Sequence, residues 1–96
     1  MADASFYMIH IERNPENSAE EVKEKMDLAV DWYRMNSGLW FLYSTSSVDK
    51  WYERLAPLCK PTGNLFICKL DTEERQGWMS KDFWAWLKRE KKSKEN

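Results

Sequence analysis

Phe6-Tyr7-Met8-Ile9-His10-Ile11-Glu12 is the stretch on which the reading of this chain turns. It is apolar, rich in aromatic and β-branched residues, and Pro15 follows it as a breaker. That combination predicts a strand. Tyr7, Ile9 and Ile11 alternate with Phe6, Met8 and His10, so both faces of the strand carry bulk. A strand apolar on both faces belongs in the middle of a sheet. The chain's one histidine, His10, lies in it, and Glu12 is the acidic residue best placed for chemistry.

Ninety-six residues fit one domain, 1–96, with 1–5 and 89–96 expected to fray. A domain this small has a marginal core. Six Trp, four Tyr and four Phe are a heavy aromatic load for it. Each buried aromatic removes about 150–250 Å² from water, and a chain of this length cannot hide them all. The surplus predicts an interface, where Trp and Tyr are enriched. The net charge of −1 offers no bulk attraction for nucleic acid. Cys59 and Cys68 are too few for a disulfide framework or a zinc site. As thiols in apolar surroundings they suit a reducing, cytoplasmic compartment. No run approaches the roughly 18–20 apolar residues of a membrane span, and no secretory leader is evident at Met1–Ser5.

Downstream, Ser18-Ala19-Glu20-Glu21 forms a capping box. Val22, Met26, Ala29, Val30 and Tyr33 then recur at helical spacing. Leu28, Trp32 and Met35 make a second stripe, so the predicted helix runs on to Asn36-Ser37-Gly38, which stops it. Leu39 to Thr45 reads as the second strand. Ser46-Ser47 cap a helix with the stripe Val48, Trp51, Tyr52, Leu55, and Pro57 should kink or end it near Ala56. Leu65 to Leu70 is the third strand, and Ser80 caps a last helix. The order is βαβαβα, with the first strand central and parallel to the second; the third can return parallel or antiparallel. The expected class is α+β, with a three- to four-stranded mixed sheet and helices packed on one face.

Tyr7 to Ile11, Leu42 to Thr45, Leu55-Ala56-Pro57-Leu58, Asn64 to Leu70, Gly77-Trp78 and Trp84 to Leu87 together resemble the SinR-like proteins. These are small ferredoxin-like proteins related in fold to the CRISPR-associated adaptation nucleases. The resemblance covers most of the chain, mainly through core residues. It implies a βαββαβ core that dimerises. Two departures stand out: no clear second strand lies between the first helix and Leu39, unless Asn36-Ser37-Gly38 hides a shortened one, and the nuclease relatives carry an aspartate near the end of the first strand, where this chain reads His10-Ile11-Glu12.

Three functions are weighed. The leading expectation is a non-enzymatic homodimer that binds a protein partner through Trp32, Met35, Trp78, Trp84 and Trp86. An inhibitor or accessory of a nucleic-acid-processing system, as in phage–host defence, is one form of it. The second is a divergent nuclease in which Glu12 holds Mg²⁺ or Mn²⁺ and His10 assists. One carboxylate is a poor metal site, and an exposed strand-end glutamate is the plainer reading. The third is a nucleic-acid binder using the aromatic and basic residues from Trp78 to Arg89. No glycine-rich phosphate loop and no nucleophile–His–acid set is present.

Overall fold

The computed structural model describes residues 3–89 and 91. Four strands and three helices follow one another as β1 (Ser5–Glu12), α1 (Ala19–Met26), β2 (Asp31–Asn36), β3 (Leu39–Ser44), α2 (Val48–Cys59), β4 (Asn64–Leu70) and α3 (Lys81–Lys88). The strands form one sheet in the order β2-β3-β1-β4. β1 is therefore internal, as its two apolar faces require. Of the ends expected to fray, residues 1, 2, 90 and 92–96 lie outside the described residues. Ser5 opens β1, and Arg89 pairs with Asp31 at 2.8 Å.

Every pairing in the sheet is antiparallel. This corrects both the mixed sheet and the parallel first pair, and the cause lies in Asp31–Asn36. That segment is a strand, not the second half of a helix. Helix α1 ends at Met26, where Leu28 N–H bonds to Lys25 O and Ala29 N–H to Met26 O in a tightened last turn. Trp32 then sits on the sheet edge-to-face against Trp40, with ring centroids 4.8 Å apart. An aromatic pair across two strands stabilises a sheet. The two residues Ser37 and Gly38 turn β2 back into β3, so β3 runs antiparallel to β1. The order is thus βαββαβα rather than βαβαβα.

β1 and β2 both run antiparallel to β3, which lies between them; β3 and β4 both run antiparallel to β1, which lies between them. Each β-α-β unit is therefore split by a strand of the other. Tyr7, Ile9 and Ile11 of β1 and Trp40 and Leu42 of β3 meet Val22 and Met26 of α1 and Trp51, Leu55 and Leu58 of α2 in the main core. Helix α3 lies on the opposite face, where its Phe83 packs against Phe41 and Tyr33 and its Trp86 against Phe6. Helices cover both faces, not one. A sheet apolar on both sides needs two coverings.

Pro57 does not end α2, which runs unbroken to Cys59. Pro57 is exposed, and the amide it lacks would have served the carbonyl of Glu53, also an exposed residue, where water can replace it. The end of α2 is held from the β1–α1 loop. Asn14 N–H and Asn17 Nδ2 both donate to Leu58 O, at 2.8 and 3.0 Å, and Asn14 Nδ2 donates to Lys60 O at 3.1 Å. These donors, one backbone and two side-chain, satisfy carbonyls that a helix end leaves without partners. No helix among the described residues is long and apolar enough to cross a membrane.

Candidate interaction surface

Strand alternation sends Phe6, Met8 and His10 of β1 to the α3 side of the sheet, with Phe41 and Tyr43 of β3 and Phe66, Cys68 and Leu70 of β4. Helix α3 covers only part of this face. Ser80 caps it, accepting from Phe83 N–H at 3.2 Å, and shares a hydrogen bond with the Tyr33 hydroxyl at 3.2 Å. That anchors the helix over β2, β3 and the start of β1. Phe66 is left 58% exposed. It stands beside His10, its partner in the register, with Met8 and Cys68 next along the pair of strands. Met8 and Cys68 are half-buried and His10 is exposed.

Trp78 is 99% exposed. Its neighbours Gly77 and Met79 border a groove of about 340 Å³ between α3 and the segment after β4, with Phe6, Leu70, Phe83 and Trp84 among the walls. The other tryptophans proposed for partner binding are placed differently. Trp32 is half-buried on the main-core side, where its Nε1 donates to Asp27 Oδ1 at 2.8 Å. Met35 is half-buried in the outer strand β2. Trp84 is half-buried, with its ring 5.5 Å from Phe83. Trp86 is 3% exposed and belongs to the packing under α3. The i, i+4 pair Phe83 and Leu87 predicts a different buried face. In the fold Phe83 and Trp86 are buried, and Leu87 is half-buried.

His10 and Glu12 share the α3 side of β1, and both are exposed. Glu12 Oε1 accepts from Asn64 Nδ2 at 2.7 Å. Asp71 follows Leu70, which pairs with Phe6, so it lies at the opposite end of the sheet from Glu12. No group of three or more His, Cys, Asp or Glu side chains among the described residues is arranged to hold a metal. Lys81 and Lys88 of α3 and Arg89 just after it are exposed, and Arg89 is engaged by Asp31.

Two features of this face escape a reading of the sequence. Phe66 alternates with Leu65 and Ile67 in the apolar run Leu65 to Cys68, so nothing marks it as the exposed member. The signal lies in the fold: β4 is an outer strand, and α3 is too short to reach over it. The other is Lys91, which follows the last helix and folds back over aromatic rings of the sheet.

Comparisons with protein-family models, with curated proteins and with solved structures return no match to this chain.

Proposed function

We propose that this chain is a small, non-enzymatic interaction module of ferredoxin-like fold that works as a homodimer and binds a protein partner. The fold assignment rests on the two interlocked split β-α-β units, the pattern of that architecture. The same arrangement is what kinship with the SinR-like proteins would require. The observation that carries the function is the exposed ring of Phe66 beside Met8 and Cys68, on an outer strand whose far edge pairs with no other strand of this sheet.

An open edge next to an apolar patch is a template for pairing. A second copy is the occupant that fits. The chain's net charge of −1 raises almost no repulsion between like molecules, and a two-fold axis would bring each Phe66 against the same patch of its partner. The exposed Trp78 is then left for a foreign protein, as Trp anchors are at binding hot spots.

Light scattering over a range of concentrations, on the native chain and on Phe66→Glu, tests this. The expected result is a native mass that rises towards twice 11.6 kDa and a Phe66→Glu mass that stays at 11.6 kDa. A native chain that remains at 11.6 kDa throughout overturns the homodimer.

A further inference from the structure

The ammonium of Lys91 sits among three aromatic rings, 4.5 Å from the centroid of Trp86, 5.3 Å from Phe6 and 5.7 Å from Tyr43. Its Nζ donates to the carbonyls of Trp86 and Arg89. No carboxylate among the described residues lies within ion-pairing distance of it, and the nearby Asp31 is taken by Arg89 at 2.8 Å. Among the described residues, the cation is thus held in direct contact by ring faces and carbonyl oxygens. Aromatic rings attract a desolvated cation through their quadrupoles, and this is how proteins recognise substituted ammonium groups. Burial also pulls the Lys91 pKa below that of an ordinary lysine, the desolvation outweighing the attraction of Asp31.

The walls of this cage do not depend on the lysine. Phe6 packs against Tyr43 at 4.8 Å and against Trp86 at 5.8 Å, and Trp86 is further held by Tyr33 at 5.9 Å and Phe83 at 6.3 Å. A site whose walls brace one another stays formed when its occupant leaves, and a preformed site binds at lower cost. No ion pair among the described residues holds the occupant, which is therefore exchangeable.

We propose that the Phe6–Tyr43–Trp86 cage is a binding site for a lysine-type ammonium group, and that Lys91 fills it in cis as a displaceable latch. The Trp86 carbonyl requires a donor, so the cage selects an ammonium that keeps at least one N–H over a quaternary one. A lysine side chain of a protein partner has this chemistry. The cage shares no residue with the Phe66–Met8–Cys68 patch, so its test does not require self-association.

The probe is n-butylammonium chloride, titrated into the full chain and followed by the NMR signals of the Trp86 indole and the Tyr43 ring. Lys91→Ala, with the cage vacated, should show saturable shifts. The native chain should bind about tenfold more weakly, as expected where the competent state is about one-tenth populated. Tetramethylammonium chloride should reproduce neither response. A second reading uses the native chain alone. The Lys91 side-chain methylene signals, displaced by the ring currents, should move towards ordinary lysine positions with n-butylammonium and not with equal sodium chloride. Shifts in Lys91→Ala that grow linearly and match those of sodium chloride would overturn the proposal. So would an equal response to tetramethylammonium, or native Lys91 signals that respond only to ionic strength.

Discussion

The indole N–H of Trp51 donates to the hydroxyl of Ser44 at 2.9 Å, and neither residue has any exposed surface. The bond ties α2 to the end of β3, and the same oxygen accepts from Ser46 N–H at 3.0 Å at the turn that leads into α2. The arginine of the next turn adds to the grip: the Arg54 guanidinium lies 4.6 Å over the Trp51 ring and donates to Ser46 Oγ at 3.0 Å. Replacing Ser44 with Ala leaves a buried indole donor with nothing to meet. Such a group costs about 1–3 kcal/mol. The expected outcome for Ser44→Ala is a lowered urea midpoint with an unchanged slope, the mark of lost stability without a change in compactness.

Gly63 sits where the loop after α2 crosses the end of β1. Its N–H bonds to Cys59 O at 2.7 Å, and a Cβ built on it would lie 1.9 Å from Glu12 O and 2.9 Å from Cys59 O. Both obstacles are backbone atoms in regular elements, so neither yields cheaply. Gly63→Ala should therefore destabilise by at least the ~1–3 kcal/mol typical of overpacking. A thermal scan that finds the unfolding temperature unchanged would mean that the loop does not close over β1 as described.

Cys59 is 2% exposed, and burial raises its thiol pKa above the ordinary 9.0. Above pH 9.0 the unfolded chain releases this proton while the folded chain keeps it. The folded state then binds more protons, so stability falls as pH rises through this window. Urea unfolding from about pH 8 to about pH 10 should show a steeper decline for the native chain than for Cys59→Ala, whose cavity cost is the same at every pH. Parallel curves would remove Cys59 as the cause.

Trp78, at 99% exposed, stands apart from the buried Trp40, Trp51 and Trp86. Trp78→Ala should leave the unfolding midpoint where it was and abolish most of the tryptophan emission that iodide can quench. In the native chain at concentrations where the mass doubles, iodide should still reach Trp78, because the self-association proposed above uses Phe66. Loss of quenching on doubling would relocate the dimer interface to the α3 end.

Much of this fold is legible in local signals. Ser18, Ser47 and Ser80 each cap the helix predicted from them, accepting from Glu21, Lys50 and Phe83 N–H. The two-faced apolar pattern of β1 places it inside the sheet. The segment 27–36 is not legible in this way. Met26, Ala29, Val30 and Tyr33 keep helical spacing by coincidence, while Trp32 and Tyr33 must face opposite sides of a sheet. What decides between the two is Trp40, distant in sequence and 4.8 Å from Trp32 in space. Tertiary packing of this kind overrides local preference. The sequence likewise marks the tryptophans as surplus without sorting them: Trp86 is walled in by Phe6 and Tyr33, and Trp78 is not.

The placement of β1 also bears on how the molecule is made. Of the four strands of this sheet, the first to be synthesised is the one that must pair on both sides, with Leu39–Ser44 and with Asn64–Leu70. Its second edge stays unsatisfied until β4 has been made, because Phe6 waits for Leu70. Pairings this distant along the chain are slow to close. A nascent or cleaved product lacking β4 would present both Phe6–Ile11 and an unguarded edge to its surroundings, the kind of species that aggregates or calls for a chaperone. The architecture thus ties protection of the β1 edge to synthesis of the chain through Leu70, before α3 is added to the other side of the sheet.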